Sequence, residues 1–469
     1  MNKEEQQYLE LVKELVDKAD YKEDRTGVGV KGKFCHKLEF DLSDGFPLIT
    51  TKKMNFKAIV AELLWFLSGS QNERDLCELT HGTRDENKKT IWTDNCKDAS
   101  NKNPERFNGM NMGNMYNVAW RKQPCNPHGI VKIRRKTYDD NYVESGKGSF
   151  FEKTVCGVGY LGSDIRSKNK TTKKLYRVWQ DMLIRVYKPR KNHKTYSNVS
   201  VCKRWLNFTN FVNDCYCLQG FQEFVDSNYS WQLDKDYYGS NIYSPNTCCF
   251  ISAELNKKLN GGGYGFKVYK YDGLYFFSRT DLQNYRGLSR KASLPKNLEI
   301  IEDSKDYVYR PVIYIDQLSR VVDELKNNPT SRRLVVDSWN PRQTENAVLG
   351  VCHPMYQFVV DDGKLNMVFT VRSSDTYLGL GYNVASYALL LTIVAIDAGY
   401  DVGKLVYEGH DVHLYLSHIE AALQQLEREP KQKPKLIVNK RNSIFEYTLE
   451  DFKLENYESY SFIYAPMAV

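Results

Sequence analysis

The sequence predicts an α+β protein built from a discontinuous domain with a second, smaller α+β domain inserted into it. Three observations predict this class: apolar residues at helical spacing, short stretches in which apolar and polar residues alternate, and one long stretch that is apolar on nearly every side. Residues 124–310 also differ in composition from the segments on either side. We therefore predict one domain over 1–123 and 311–469, interrupted by a domain over 124–310.

The N-terminal segment begins with a helical pattern over residues 5–16, and residues 58–69 predict a second, mostly buried helix that ends at Gly69. Between these helices, residues 31–51 alternate between apolar and polar side chains, which predicts a pair of strands.

The C-terminal segment resumes with a predicted helix over residues 314–328, followed by strands over 332–339 and 355–372. The sequence Asp-Asp-Gly-Lys at 361–364 predicts a hairpin turn inside the second of these stretches. Residues 383–400 predict a long helix whose apolar side chains leave no polar face, so we expect it in the core.

Composition is that of a globular protein: 41% of the residues are hydrophobic, 13% aromatic and 26% charged. No signal peptide and no apolar stretch of about 20 residues is apparent, so we expect a cytoplasmic protein without a membrane segment. The eleven cysteines are scattered, which predicts reduced thiols. Neither Cys248 and Cys249 nor Cys215 and Cys217 has the further ligands that zinc requires, so no metal site is expected.

The net charge of +8 is unevenly distributed. Residues 124–310 hold 31 Lys and Arg against 18 Asp and Glu, and the whole excess lies in 131–210, with 19 basic and 6 acidic residues. Basic residues interleaved with Tyr and Trp are typical of a surface that faces phosphates. A solvated lysine-rich face would explain the same charge.

Cys352 is the candidate nucleophile, because it lies between two predicted strands in GVCHPMYQF, directly before His353. A thiolate needs nearby positive charge to be populated. Candidate sources of that charge, which are also good phosphate ligands, are Arg25, Arg332, Arg333 and Arg372. Each of these arginines could alternatively form a surface salt bridge.

The order of these segments resembles the thymidylate synthase family over about residues 5–123 and 311–469. The resemblance implies a thymidylate-synthase-like fold with a mixed β-sheet and a long buried helix. The stretches that carry it are DRTGVG (24–29), DGFPLITTKK (44–53), AELLWFLSG (61–69), TSRRLVVDSWNP (330–341), VCHPMYQF (351–358), RSSDTYLGLGYNVASYALL (372–390), GHDVHLYLSHIEAALQQLEREP (409–430) and the C-terminal APMAV.

The resemblance implies that Cys352 attacks C6 of the uracil ring of dUMP. The substrate phosphate would be bound by Arg25, Arg332, Arg333, Arg372 and Ser373. The resemblance also implies a two-fold dimer in which each site uses two adjacent arginines of the partner chain. We therefore expect a homodimer with Arg332 and Arg333 acting in trans.

Other substrate contacts are implied in the same way. Asn383 would bind the O4 and N3 edge of uracil, because an amide can donate to O4 and accept from N3–H. His413 and Tyr415 would hold the 3′-hydroxyl of the deoxyribose. Glu62 would organise water and protons near the ring, and Tyr116 would help to remove the C5 proton.

The implied one-carbon donor is 5,10-methylenetetrahydrofolate. The residues that would contact it are Lys52, Ile91, Trp92, Leu349 and Asp375. Asp375 is also a predicted catalytic residue. Residues 467–469, which end in Val469, would close the site. Ile91, Trp92 and Leu349 could alternatively be core residues.

One segment departs from the family pattern. The family usually reads Gly-Pro-Val-Tyr-Gly-x-Gln-Trp-Arg, but residues 113–121 read GNMYNVAWR, with Asn114, Asn117 and Ala119 as replacements. His410 also replaces a usual glycine. Ala119 is similar to the related hydroxymethylases, so a deoxyuridylate hydroxymethylase that releases 5-hydroxymethyl-dUMP and tetrahydrofolate is the alternative. Trp92, Leu349 and the C-terminal tail favour the synthase, because they exclude water.

The predicted insertion resembles DNA-binding modules associated with phage homing endonucleases. The residues that carry this resemblance are Trp179, Trp205, Leu233, Asp234, Lys235, Tyr243, Ser244 and Pro245. The paired histidines and asparagine of a metal-dependent nuclease are missing, which predicts DNA binding without cleavage. A remote alternative is a non-catalytic nucleic-acid-binding protein. The insertion is compatible with a phage or a similarly mobile genome as the source, and if the protein is viral the expected location is the host cytoplasm.

Overall fold

A computed structural model provides the fold. It describes residues 2–24, 26–107, 109–143, 146–165, 169–189, 198–227, 230–259, 266–271, 274–286, 288–289, 291–341 and 344–467, without the side chains of 124–129, 131 and 312–314.

The described helices are numbered in chain order. They are α1 (Lys3–Lys18), α2 (Phe56–Ser68), α3 (Glu73–His81), α4 (Thr93–Lys102), α5 (Tyr116–Lys122), α6 (Lys170–Tyr187), α7 (Phe208–Cys215), α8 (Phe221–Asp226), α9 (Ala253–Leu259), α10 (Arg279–Tyr285), α11 (Gln317–Asn327), α12 (Leu380–Ala398) and α13 (Ile419–Leu426).

The described strands are numbered in the same way. They are β1 (Asp20–Lys22), β2 (Val30–Asp41), β3 (Gln123–Arg134), β4 (Ser200–Val201), β5 (Trp231–Asp234), β6 (Ile242–Tyr243), β7 (Cys249–Ser252), β8 (Lys267–Tyr271), β9 (Leu274–Phe276), β10 (Glu299–Glu302), β11 (Tyr307–Ile315), β12 (Val335–Asp337), β13 (Met355–Asp361), β14 (Lys364–Asp375), β15 (Asp401–Tyr415), β16 (Lys435–Val438) and β17 (Phe452–Glu455).

The chain divides into two compact units. Unit 1 comprises residues 1–92, 114–123 and 316–469, and unit 2 comprises 93–113 and 124–315. These units differ from the predicted boundaries at 123 and 311, because residues 93–113 and 311–315 fall in unit 2. The sequence did not indicate this, since 93–113 precede the segment whose composition changes.

A six-stranded mixed sheet is the centre of unit 1, with the strand order β1-β2-β15-β14-β13-β12. Only β14 and β15 pair in parallel, and the other neighbours are antiparallel. The predicted hairpin at 361–364 joins β13 to β14, where Asp361 pairs with Lys364. Both turn residues, Asp362 and Gly363, have positive φ, which suits a tight two-residue hairpin. The predicted α+β class with a mixed sheet is therefore confirmed.

Helix α12 is the long core helix that the sequence predicts. Its apolar side chains are buried from Leu380 to Ala395, and it packs against β14, β15 and α2. By length and composition alone it could cross a membrane, but 67% of the apolar window is buried inside the protein. A helix that is apolar on all sides is stable in water only when other elements cover it. Helix α12 is covered in this way.

The predicted strand pair over 31–51 is wrong in its second half. Strand β2 covers the first half, but Phe46, Leu48 and Ile49 are buried without joining a described strand. Gly45 has a φ of 144° and Pro47 has no amide hydrogen to donate, so the chain leaves the sheet at this point. The alternation there reflects burial of an irregular segment.

Unit 2 has two hydrophobic clusters. The first includes Trp179, Trp205, Phe208 and Phe211, and the second includes Tyr237, Ile251, Phe266 and Val268. Short paired strands and the helices α6 to α10 surround these clusters, among them the three-stranded sheet β10-β8-β9. Unit 2 thus contains both helices and strands, as predicted for an α+β inserted domain.

Candidate functional site

Cys352 lies in the loop before β13, its side chain is partly exposed, and its backbone is hydrogen-bonded through both its amide and its carbonyl. Its amide nitrogen donates to the Tyr116 hydroxyl at 2.8 Å, and the amide of His353 donates to the same oxygen at 3.2 Å. Its carbonyl oxygen accepts a hydrogen bond from the Arg372 amide at 2.9 Å. The backbone of the candidate nucleophile is therefore fixed while the residue stays partly exposed.

Tyr116 is the first residue of α5, and its buried ring stacks on the His353 imidazole with centroids 5.1 Å apart. Burial raises the pKa of Tyr116 far above its usual range, and the charges of Cys352 and Glu62 raise it further. The phenol therefore stays protonated, and its oxygen is available as an acceptor for the two amides.

His353 does not form an acid–base pair with Cys352. Burial lowers the pKa of His353 to about 3, because the low-dielectric interior disfavours the charged imidazolium. Its ring packs among Tyr116, Phe369 and Tyr387. The neutral imidazole is therefore a packing element behind the nucleophile.

Glu62 is carried by α2 and faces the same group of residues. Burial raises the pKa of Glu62 to about 7, and a hydrogen bond from Trp92 partly opposes this shift. That bond joins the indole Nε1 to the carboxylate Oε1 at 2.7 Å. A carboxyl that titrates near neutrality can both take up and release protons.

Arg372 braces the loop that carries Cys352. Its Nε donates to the carbonyl of Val351 at 2.8 Å, and its Nη2 donates to that of Gly350 at 2.9 Å. The guanidinium also lies over the Trp339 ring, 5.4 Å from its centroid. The structure thus brings this predicted phosphate ligand beside the nucleophile.

The remaining predicted phosphate ligands are placed differently. Arg332 and Arg333 are exposed just before the edge strand β12, and within the described residues neither guanidinium pairs with a carboxylate. Ser373 lies on β14 next to Arg372. Arg25 lies outside the described residues.

The parallel pairing of β14 and β15 brings further predicted residues together, because parallel strands end at the same edge. Asp375 pairs in register with His413, and Tyr415 follows two residues later. The His413 and Tyr415 rings are 5.3 Å apart. Asn383 lies in the first turn of α12, which begins just after β14.

The residues predicted to contact the folate fall into two groups. Ile91 is 60% exposed and Leu349 is partly exposed, so neither is a core residue in this chain. The Lys52 ammonium is buried instead: it donates to the Tyr377 carbonyl at 2.5 Å and lies 3.6 Å from the Tyr377 ring centroid. Burial lowers the pKa of Lys52 to about 7, partly offset by Asp375.

Asp375 and the C-terminal tail are linked through His418, which the sequence analysis did not single out. The Asp375 carboxylate accepts hydrogen bonds from the amides of Tyr377 and Leu378, at 2.9 and 3.1 Å. The buried His418 ring lies 3.8 Å from that carboxylate and 2.7 Å from the Pro466 carbonyl. Its place in LSHIE gave no signal of this contact. Val469 lies outside the described residues.

The residues that carry the DNA-binding resemblance have structural roles in unit 2. The Trp179 indole donates to the Trp205 carbonyl at 2.7 Å, and the Trp205 indole donates to Asp214 at 2.8 Å. The Asp234 carboxylate accepts a hydrogen bond from the Tyr237 amide at 2.6 Å. Seven of the eight side chains, all except Pro245, are buried, so they support the fold of unit 2 rather than a binding surface. No cluster of three metal-ligating residues occurs within the part of the chain that the structure describes.

Comparison with known proteins gives consistent results. The family model described as Thymidylate synthase matches residues 6–192 and 263–469. A protein named thymidylate synthase from Leuconostoc mesenteroides is 28% identical over 470 residues, covering 100% of both chains. A protein of the same name from Staphylococcus haemolyticus is 27% identical, with 100% of each chain covered. Another from Listeria innocua is 26% identical, with 99% of each chain covered. The family match extends past the predicted boundaries at 123 and 311.

Proposed function

This chain belongs to the thymidylate synthase family, and we propose that it converts dUMP and 5,10-methylenetetrahydrofolate to dTMP and dihydrofolate through a covalent adduct on Cys352. It is an enzyme of the C1-transferase type. The observation that carries the proposal is the fixed Cys352 backbone between Tyr116 and Arg372, beside a carboxyl that titrates near neutrality.

In the proposed reaction the Cys352 thiolate adds to C6 of the uracil ring, which makes C5 a carbon nucleophile. C5 would then accept the one-carbon unit that the folate supplies, and the C5 proton would be lost. Glu62 can take up that proton, and Tyr116, whose phenol stays protonated, would assist through hydrogen bonding. The bound folate would supply both the one-carbon unit and the hydride that together become the C5 methyl group, and it would be left as dihydrofolate, so atoms balance. Elimination from C6 would restore the Cys352 thiolate.

We assign the binding of dUMP to residues around this centre. Its phosphate would contact Arg372, Ser373 and Arg25 of one chain, together with Arg332 and Arg333 of a partner subunit. Asn383 would bind the uracil edge, and His413 and Tyr415 would bind the deoxyribose. The convergence of β14, β15 and α12 supports this assignment, since it places the carriers of these side chains at one edge of the sheet.

The folate would be held by Ile91, Trp92, Leu349, Asp375 and Val469, and when bound it supplies the one-carbon unit and the hydride. The exposed Ile91 side chain supports a fit to an apolar ring system. The buried Lys52 would act on the folate through its bond to Tyr377 and its charge near Asp375.

Hydroxymethylation is the second candidate, and one observation favours it. A narrow pocket lies where the family glutamine is replaced by Ala119. It is lined by both polar and apolar side chains, among them Asn114, Ser338 and Thr344, and it reaches Val351, the residue before Cys352. Its free volume of about 10 Å³ is room for one water molecule at most, and water is the reagent that hydroxymethylation needs.

Product analysis separates the two candidates. Purified protein is mixed with dUMP and methylenetetrahydrofolate, absorbance near the dihydrofolate band is followed, and the nucleotide is weighed by mass spectrometry. We expect dTMP with stoichiometric dihydrofolate. Formation of 5-hydroxymethyl-dUMP without dihydrofolate would establish the second candidate, and the absence of both would exclude the family reaction.

We also propose that unit 2 binds nucleic acid through its charge rather than through its aromatic residues. Support comes from α6, which exposes Lys170, Lys173 and Arg177 along one side. Replacing all three with Ala should reduce the salt dependence of DNA affinity by about one unit of log–log slope per side chain. Lys257→Ala on α9 is the control, and an unchanged slope in the triple variant would exclude this surface.

A further inference from the structure

A buried ion pair lies at the start of α3, outside the residues assigned above. The Glu73 side chain is 0% exposed and Arg74 is 5% exposed. The Arg74 Nε and Nη2 donate to Glu73 Oε2 at 2.7 and 2.6 Å. Burying two charges is costly unless both are fully hydrogen-bonded, so their remaining partners identify what the pair holds in place.

Those partners belong to the loop that leads to Trp92. The Arg74 Nη1 donates to the carbonyls of Asp85 and Lys88 at 2.7 and 3.0 Å. The second carboxylate oxygen of Glu73 accepts a hydrogen bond from the Thr90 hydroxyl. The side chains at 84–89 are exposed, so the buried pair holds a surface loop from beneath.

Thr90 connects this pair to the reaction centre. Its hydroxyl oxygen accepts a hydrogen bond from the Trp92 amide at 3.2 Å while its proton goes to Glu73. The Trp92 indole in turn donates to Glu62 at 2.7 Å. Hydrogen bonds thus link Arg74, Glu73 and Thr90 to the Trp92 amide, and the Trp92 side chain continues the connection to Glu62 through its indole.

We propose that Glu73, Arg74 and Thr90 form a clamp that positions the Trp92 indole on Glu62 and thereby limits the access of water to the reacting methylene carbon. They are positioning residues, since none contacts the reacting atoms. The role in product choice rests on the proposed function, whereas the link from Thr90 to Glu62 does not.

The reason the clamp influences product is its effect on one boundary of the site. Indole that is held against Glu62 occupies space that solvent would otherwise fill. When the loop is released, the indole can move away and water can compete with hydride for the methylene carbon. The clamp therefore acts on the partition between dTMP and 5-hydroxymethyl-dUMP, and it also acts on the Glu62 carboxyl, which loses a donor.

Thr90→Val tests the proposal, because it keeps the shape of the side chain and removes the hydroxyl. We expect the ratio of 5-hydroxymethyl-dUMP to dTMP to rise at least about threefold. We also expect the Glu62 carboxyl to titrate about one pH unit higher, as measured by infrared difference spectra against Glu62→Gln. Tyr116 and Tyr387 interact with Glu62, but burial raises the pKa of both, so they stay protonated during this titration.

Two controls isolate the clamp. Thr80→Val removes a hydroxyl from the same segment, where it donates to the Leu76 carbonyl at 2.8 Å, and should leave both readouts unchanged. Thr90→Ser keeps the hydroxyl and should behave like the wild type. If Thr90→Val fails to fold, Arg74→Lys loosens the same loop without removing the charge, and the same upward shift of the Glu62 titration is expected.

An unchanged Glu62 titration in the folded variant overturns the proposal. An upward titration with an unchanged product ratio overturns the part about water. If the wild type forms neither product, the proposed function fails, and the titration alone still decides whether the clamp positions Trp92.

Discussion

Among the single residues of the site, Glu62 and Cys352 have the most direct chemical consequences. The Glu62 carboxylate accepts a hydrogen bond from the Trp92 indole, and burial is the larger influence on its pKa. The Cys352 backbone is held instead by the Tyr116 hydroxyl, which accepts from its amide, and by the Arg372 amide, which donates to its carbonyl. Both residues can therefore be tested by substitutions that leave the fold intact.

We expect Glu62→Gln to change how stability depends on pH. Glu62 titrates near its usual value of 4.5 when unfolded and near 7 when folded. The folded state therefore binds its proton more tightly, and the free energy of unfolding declines as pH rises through that window. Urea denaturation at several pH values should show a smaller decline in Glu62→Gln than in the wild type. Equal declines would contradict the raised pKa, and exposed Glu10→Gln is the control.

We expect Cys352→Ser to lose at least about 10³-fold in kcat, because a hydroxyl is a much weaker nucleophile than a thiolate. Binding of dUMP, measured by calorimetry, should stay within about threefold of wild type, since Arg372 and the loop contacts remain. Cys156→Ser, another partly exposed cysteine, should retain activity. Near-normal turnover of Cys352→Ser would exclude the covalent mechanism.

At the scale of elements, α12 and the sheet position the site. The helix begins directly after β14, so the residues of the first turn of α12 are held near the strand ends that carry Arg372 and Asp375. Its remaining length is buried against β14 and β15. Loss of packing along α12 should therefore destabilise unit 1 as a whole.

We expect Leu390→Ala to lower the free energy of unfolding by about 2–5 kcal/mol, because this fully buried side chain would leave a cavity. The control is Leu423→Ala on α13, whose side chain is 47% exposed. Its cost should stay below about 0.5 kcal/mol. Urea denaturation followed by circular dichroism measures both, and similar costs would contradict the placement of α12 in the core.

At the scale of the whole molecule, the outer face of the central sheet is a candidate surface for the homodimer that the proposed function requires. The face opposite α12 exposes Met355 and Val359, which are 40% and 46% accessible. Exposed apolar side chains on a sheet face favour association with another surface. Arg332 and Arg333, which are exposed just before the edge strand of this sheet, are then available to a partner.

We expect two inactive variants to restore activity when mixed. A Cys352→Ser chain supplies arginines and an Arg332→Ala/Arg333→Ala chain supplies the cysteine, so heterodimers contain one intact site. After unfolding and refolding of an equal mixture, activity should reach about a quarter of wild type. Cys352→Ser mixed with Tyr116→Phe is the control, because the hydrogen bond between Cys352 and Tyr116 places both in one chain. No recovery in the first mixture would contradict arginines acting in trans.

The sequence was sufficient for much of unit 1 because the local signals agree with the fold. The helix predicted over 383–400 follows from a long run of apolar residues, which favours a buried helix. The hairpin at 361–364 follows from an Asp-Gly turn, which favours a two-residue hairpin. The prediction of a strand was wrong at 46–50, because a strand and a buried irregular segment can show the same alternation of apolar and polar residues.

By itself, then, the sequence determined the fold class, the central sheet with its core helix, and the family, since these depend on periodicity and on ordered motifs. Only the tertiary structure decided that His353 is buried and neutral, that Lys52 points into the protein, and that Glu73 and Thr90 connect to Glu62. The physical reason is that burial and hydrogen-bond partners come from residues distant along the chain, and these set the charge and orientation of each group.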